Sequence, residues 1–126
     1  MKKFIVSGAI HGLLAVALGA FAAHGLADVL DAYGADIWAK AVQYQMFHAA
    51  GLLVIGILMS RNIIGNNKGL NIAGWCMNAG IVFFSGSLYI LALSGIKVLG
   101  AITPIGGVLF LIGWLFIIKT VVKEGK

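Results

Sequence analysis

Residues 19–48 read GAFAAHGLADVLDAYGADIWAKAVQYQMFH, and this stretch decides how the chain folds. It contains every aspartate of the chain, both glutamines and two of the three histidines. The flanking sequence is almost entirely apolar, in runs longer than the roughly 18 residues that indicate a transmembrane helix. A polar segment between two such runs predicts a connection between membrane-spanning helices. It is also the segment in which polar recognition is to be expected.

The composition of the whole chain is typical of a membrane protein. Hydrophobic residues make up 61% and charged residues 10% of its 126 residues, whereas a soluble domain usually carries about 25% charged residues. The length predicts a single transmembrane domain, residues 1–126. The net charge is +5, but the basic residues stand at the ends of apolar runs, which favours membrane anchors and argues against nucleic acid as a partner. A single cysteine, Cys76, excludes an intramolecular disulfide.

The apolar runs predict an all-α, up-down-up-down bundle of four membrane-spanning helices. The predicted helices are about 4–26, 37–60, 70–94 and 99–119. We expect Gly25 to end the first helix and Asp28 to cap a short amphipathic turn over residues 29–33. Gly34 is expected to stop that turn, and Asp36 to cap the second helix. Pro104 predicts a kink or a late start in the fourth helix.

The basic residues also predict the orientation of the bundle. Seven of the nine Lys and Arg residues fall at the two termini and in the loop at residues 61–69, and the other two are Lys40 and Lys97. The positive-inside rule then places both termini and the middle loop in the cytoplasm. We expect a multi-pass protein of the inner or plasma membrane, in contact with membrane lipids.

Small residues recur at helical spacing inside the predicted spans. Such stripes let helix backbones approach closely, so they predict either tight packing of the four helices or a homo-oligomer. The stripes are Gly8 with Gly12; Gly12, Ala15, Gly19 and Ala23; Ala73, Gly80, Ser87 and Ser94; Gly106 with Gly113; and Gly100 with Gly107.

The third predicted helix carries a polar stripe on the face opposite its small residues. The stripe consists of Asn71, Asn78, Ser85 and Tyr89. Asn78 falls near mid-membrane, where an unpaired amide costs several kcal/mol. It therefore needs a partner. The stripe predicts either hydrogen bonds between helices or a polar cavity among them.

The candidate ligand-binding residues are His24, Gln45, His48, Asn78 and Trp38. Trp38, Gln45 and His48 share a face of the second helix, and His24 lies near the adjoining end of the first. Three interpretations are open for His24, Gln45 and His48: a structural hydrogen-bond network, a pocket for a lipid headgroup, quinone or other small ligand, or a metal or haem site. Haem requires two histidines at matched depth, and zinc would need a third ligand such as Asp28. His11 lies on another face of the first helix from His24, so these two cannot share a small site on that helix alone.

Three motifs stand out in the chain: GAFAAHGL at 19–26, Trp38 with AVQYQ at 41–45 and His48-Ala49, and TPIGG at 103–107. Together they resemble a small family of bacterial inner-membrane proteins catalogued as domain of unknown function 423, whose eukaryotic relatives are called transmembrane protein 256. Ala22 stands where family members carry glycine. The resemblance spans essentially the whole chain; it implies a membrane location and a bundle fold, and names no reaction.

The sequence therefore predicts a non-enzymatic multi-pass membrane protein without a cofactor. The serines of the third helix have no histidine within helical reach, so no catalytic residue is assigned. The polar cluster of helices one and two is expected to be structural or to bind a lipid-like ligand. The alternatives are a metal- or haem-binding protein that uses His24 and His48, and an oligomeric channel or transporter subunit.

Overall fold

The structure, a computed structural model, describes residues 2–124 and confirms the four-helix all-α fold. Each of its four helical spans is long and apolar enough to cross a membrane. Successive spans are joined by short connections and run antiparallel. The spans are α1 (Lys2–His24), α2 (Ala32–Leu58), α3 (Lys68–Ser94) and α4 (Thr103–Glu124), and a 3-10 turn, Lys97–Ala101, precedes α4.

The connection between α1 and α2 is shorter than predicted. Asp31 caps α2, because its Oδ1 accepts a hydrogen bond of 2.6 Å from the backbone N–H of Gly34. The predictions that Asp36 caps α2 and that Gly34 stops a separate turn are therefore wrong. Gly34 lies inside α2, and Asp36 pairs with Lys40 at 3.1 Å. All three aspartates of this segment are good caps, and tertiary packing selects among them: Gly34 is buried where a Cβ would lie 3.4 Å from the Ala92 carbonyl oxygen.

The other helix ends follow from local sequence. Gly25 ends α1 as predicted, and its N–H donates to the Phe21 carbonyl at 2.6 Å. Asn67 caps α3 through a bond of 3.2 Å from the N–H of Leu70. Gly95 ends α3 with φ at +72°, a left-handed conformation that glycine adopts without strain. The predicted late start of α4 is confirmed, because Pro104 stands in its first turn, where a missing N–H costs nothing.

The bundle consists of two hairpins, α1 with α2 and α3 with α4, joined along α2 and α3. Two apolar clusters form the core. The larger includes Phe4, Leu52, Ile55, Leu70, Met77 and Phe110, and the smaller consists of Ile37, Ala41, Leu88 and Leu91. The larger cluster joins all four helices, and the smaller one holds α2 against the C-terminal half of α3.

Several of the predicted small-residue stripes pack inside this single chain. A Cβ on Gly8 would lie 2.9 Å from the Ala49 carbonyl oxygen, and one on Gly80 would meet the ring of Phe110. Gly106 lies directly against the backbone of Phe84. Gly12 is different, because a Cβ there would meet nothing within 4 Å. Association of copies through the open face of α1 stays a prediction.

One turn of α3 is a π-helix, Val82–Gly86. A π-turn accommodates one extra residue and so rotates the following part of the helix by about 100° relative to a continuous α-helix. The residues before it and after it consequently meet different neighbours. Asn78 faces α1, and Tyr89 faces α2.

Candidate functional site

A continuous series of hydrogen bonds links three helices through the interior of the bundle. The Tyr89 hydroxyl donates to Gln45 Oε1 at 2.7 Å. Gln45 Nε2 then donates to His11 Nδ1 at 3.3 Å. His11 Nε2 in turn donates to Asn78 Oδ1 at 3.1 Å, so the ring carries its proton on Nε2. The series connects α3 to α2, α2 to α1, and α1 back to α3.

The series continues toward the end of the bundle that carries the termini. Asn78 Nδ2 donates to Ser7 Oγ at 3.2 Å, and Ser7 Oγ donates to the Phe4 carbonyl at 3.4 Å. Every donor points the same way, from Tyr89 toward Phe4, and such aligned bonds polarise one another. We name Tyr89, Gln45, His11, Asn78 and Ser7 the polar series.

His48 belongs to a separate cluster that faces α4. Its Nδ1 donates to the Tyr44 carbonyl at 2.8 Å, and its Nε2 accepts from Trp114 Nε1 at 3.0 Å. The imidazole stacks on Phe110 with ring centroids 3.5 Å apart. Both ring nitrogens are thus engaged in a neutral histidine that is only 3% exposed.

The candidate ligand-binding residues predicted from the sequence therefore do not form one cluster in the structure. Gln45 and Asn78 both bond to His11, whereas His48 bonds to Trp114. His24 is exposed at the last residue of α1 and does not approach His48.

These positions bear on the predicted metal or haem site. A metal ion at His48 would have to displace the indole N–H from Nε2. Asp28 is exposed on the connection beyond α1. Within residues 2–124 no group of three or more His, Cys, Asp or Glu side chains could hold a metal ion. In this arrangement both ring nitrogens of His48 are engaged in hydrogen bonds, and a metal or haem site stays a prediction.

Trp38 connects the polar series to the surface of the α1–α2 hairpin. Its indole Nε1 donates to the Leu18 carbonyl at 3.0 Å, and its ring packs edge-on against Tyr89 with centroids 4.7 Å apart. Trp38 also lines a groove between α1 and α2. Trp38 thus contacts both the polar series and this groove.

The groove, which we name the α1–α2 groove, has a volume of about 410 Å³. Its lining is apolar except for the amide of Gln43 and the indole of Trp38. The lining residues are Gly19, Ala22, Leu26, Ala27, Leu30, Ala35, Trp38, Ala39, Val42, Gln43 and Met46. Gly19 brings the two helices close, because a Cβ there would already touch Val42 at 3.4 Å.

Gln43 is the unusual residue of this groove. It lies eleven residues into α2, about 16 Å along the helix axis. Its side chain is exposed, and no hydrogen bond of its amide is found in the part of the chain that the structure describes. An exposed amide without a partner on an apolar helix surface is available for a hydrogen bond. A polar group in the groove would provide that partner.

Sequence reasoning missed four residues of these sites: Ser7, His11, Gln43 and Trp114. One signal could have found His11. It lies nine residues from the start of α1, and Asn78 lies ten from the start of α3. The two helices run in the same direction, so these side chains are at the same depth. Gln43 and Trp114 carry no comparable signal.

Comparison with known proteins gives the family. The model of a family described as "Protein of unknown function (DUF423)" matches residues 18–107. The chain belongs to the DUF423 family. The matched region contains the whole α1–α2 groove, whereas Ser7, His11 and Trp114 lie outside it.

Curated relatives of the family cover nearly the whole chain. A protein of Staphylococcus epidermidis is 54% identical over 98% of this chain and 98% of its own length. One from Staphylococcus saprophyticus is 53% identical over 94% and 95%, and one from Bacillus subtilis is 50% identical over 98% of each. All three are named "UPF0382 membrane protein". No solved structure matches the chain. The protein is thus a multi-pass membrane protein.

Proposed function

We propose that this protein is a non-enzymatic membrane protein that binds one lipid-like small molecule in the α1–α2 groove. The apolar body of the ligand occupies the space between the helices, and a hydrogen-bonding group of the ligand, such as a hydroxyl, ester or ring carbonyl, reaches the Gln43 amide. The groove volume of about 410 Å³ is in the usual range for small-molecule sites.

The unpaired amide of Gln43 is the observation that carries this proposal. The other deeply placed polar side chains of α2, Gln45 and His48, are bonded to neighbouring helices. Gln43 alone of these three faces an open apolar groove. A ligand with one polar group both bonds to the amide and fills the apolar space. Lipid chains alone would fill that space but leave the amide without a hydrogen-bond partner.

The polar series has a structural role in the proposal. It ties α1 to α2 and α3, and α1 has few other anchors because only Phe4, Gly8 and Ala15 are buried on it. Trp38 connects the polar series to the groove, because its indole bonds to α1 and packs against Tyr89. The series thereby keeps the groove at a fixed width.

The proposal assigns neither a reaction nor a cofactor. The hydroxyl of Ser85 donates to the Ala41 carbonyl at 2.7 Å and is fully buried. Ser87 shares a bond of 2.6 Å with Thr103. Among residues 2–124 neither hydroxyl has a histidine as a hydrogen-bond partner. Absorption spectra and metal analysis of the purified protein are expected to show no Soret band and no stoichiometric metal.

The groove is tested by identifying what co-purifies with the protein. The wild type is extracted with its native lipids in polymer nanodiscs, and the bound small molecules are quantified by mass spectrometry. We expect one amphipathic species enriched to about one molecule per chain. Ala39→Leu, which fills the groove, and Gln43→Leu, which removes the amide, are both expected to lose it.

Ala50→Leu is the matched control, because Ala50 lies on an exposed face of the same helix and outside the groove. It is expected to retain the ligand. The same molecules at the same amounts in wild type, Ala39→Leu and Gln43→Leu would refute the proposal.

A further inference from the structure

A second cavity opens at the other end of the bundle, between the start of α3 and the end of α4. We name it the basic cleft. Its volume is about 280 Å³. Its lining carries three lysines and one glutamate. The lining residues are Asn67, Lys68, Gly69, Ile72, Phe116, Lys119, Thr120, Lys123 and Glu124.

The lysine charges of the basic cleft are only partly neutralised within residues 2–124. The one ion pair within residues 2–124 joins Lys40 to Asp36 at the opposite end of the bundle. Lys68, Lys119 and Lys123 therefore face the cleft without a carboxylate partner in this region, and Glu124 offsets only one of them. The excess of about two positive charges suits an anion of one or two negative charges.

Thr120 supplies a buried polar group at the bottom of the cleft. The residue is only 6% exposed. Its Oγ1 lies directly against Gly69, where any Cβ would collide with it. No hydrogen bond of this hydroxyl is found among residues 2–124. No buried side-chain oxygen or nitrogen lacks a partner among these residues, so the unbonded Thr120 hydroxyl is open to the cleft and can bond to something that enters it.

The first turn of α3 adds backbone donors to the same place. Asn67 accepts from the N–H of Leu70 through its side chain and from that of Asn71 through its carbonyl. The N–H groups of Lys68 and Gly69 have no such bonds in the described part of the chain. The N-terminus of this 27-residue span carries a partial positive charge. Free N–H groups at such a terminus are a common phosphate site.

We propose that the basic cleft binds a phosphate group, carried either by an anionic phospholipid or by a small soluble phosphate. The Thr120 hydroxyl and the Gly69 N–H donate to the phosphate oxygens, and Lys119 and Lys123 supply the charge. Gly69 is required because its missing side chain leaves both donors open. Basic cavities between transmembrane helices are known to hold acidic headgroups. This site is separate from the α1–α2 groove and does not depend on it.

The experiment measures binding to the full-length protein in detergent by native mass spectrometry and thermal shift. The probes are phosphatidylglycerol, diacylglycerol with the same acyl chains and no phosphate, and inorganic phosphate. We expect phosphatidylglycerol to bind at least about tenfold more tightly than diacylglycerol, since one hydrogen bond to a charged group accounts for that factor. Thr120→Val and the double variant Lys119→Gln/Lys123→Gln are expected to abolish this preference.

Two controls make the result specific. Thr120→Ser retains the hydroxyl and is expected to retain binding, which separates loss of the donor from loss of the fold. Lys97→Gln removes a charge at the opposite end and is expected to change nothing.

A phosphatidylglycerol preference that inorganic phosphate does not reproduce assigns the site to a lipid headgroup. Phosphate binding with the same dependence on Thr120 and Lys119/Lys123 assigns it to a soluble phosphate. Equal binding of the two lipids with no effect of phosphate, or equal losses in Lys97→Gln, would overturn the proposal.

Discussion

His11 Nε2 lies 3.1 Å from Asn78 Oδ1, a hydrogen bond between residues 67 positions apart in sequence. It joins α1 to α3 across the interior of the bundle. The same imidazole accepts from Gln45 on α2, so one side chain holds three helices together. This ring is therefore the centre of the polar series.

Replacing His11 by alanine is expected to destabilise the bundle. The half-buried Asn78 Oδ1 loses its donor and the buried Gln45 Nε2 loses its acceptor. An unpaired buried group costs about 1–3 kcal/mol in free energy of unfolding. Steric trapping or SDS titration in bicelles measures the change. His24→Ala is the control, because His24 is exposed, and its effect should stay within about 0.5 kcal/mol. Equal losses in the two variants would show that the polar series contributes no stability.

Gly8 and Gly12 form a second matched pair on α1. A Cβ on Gly8 would lie 2.9 Å from the Ala49 carbonyl oxygen and 3.0 Å from Leu52 Cβ, so Gly8→Ala is expected to cost about 1–3 kcal/mol through overpacking. Gly12→Ala meets nothing within 4 Å. It should be neutral or stabilising by up to about 1 kcal/mol, because alanine is the better helix former. The same unfolding assay compares them, and a Gly12→Ala loss as large as that of Gly8→Ala would contradict the packing of α1 on α2.

Trp114→Phe removes the donor to His48 Nε2 and leaves that buried acceptor unpaired. The expected loss in free energy of unfolding is about 1–3 kcal/mol. Trp75→Phe is the comparison, because Trp75 is 57% exposed and its indole makes no hydrogen bond in the described region. If both variants unfold alike, the bond between α2 and α4 does not stabilise the bundle.

The orientation of the protein is tested by cysteine labelling in a Cys76→Ser background. Ile63 lies in the middle loop and Val98 in the turn before α4, and both are exposed. The excess of basic residues at the end that carries Ile63 predicts that this end is cytoplasmic. A membrane-impermeant maleimide should label Val98→Cys in intact cells, and Ile63→Cys only after permeabilisation. The reverse pattern would place both termini outside.

Much of the fold could be predicted because the length of an apolar run and the spacing of its small residues are properties of a single helix. The sequence places Asn78 and Gly80 on opposite faces of one helix, and the structure confirms this: Asn78 bonds to α1, and Gly80 packs against Phe110 of α4. Pro104 likewise predicts the late start of α4. The cap of α2 could not be predicted, because Asp28, Asp31 and Asp36 are locally equivalent and burial of Gly34 decides among them.

The site was harder to predict because it depends on which helices are neighbours. Sequence order suggests that His24 meets His48 across consecutive helices, yet His48 faces α4 and bonds to Trp114. His11 meets Asn78 because α1 and α3 also touch. Gln43 and Gln45 are two residues apart, and only the packing shows that one is bonded and the other faces an open groove. Rotation of each helix about its own axis, which no local pattern fixes, decides these outcomes.

The π-turn Val82–Gly86 has a consequence for how relatives of this protein should be aligned. If all the residues from Asn78 to Tyr89 formed a continuous α-helix, the two side chains would lie within about 20° of each other around it. A relative that lacks one residue in this turn has one step fewer between them, which a continuous α-helix places about 80° apart, as the π-turn does here. A one-residue gap there would therefore mark the loss of the π-turn, and the two side chains would keep their helix partners.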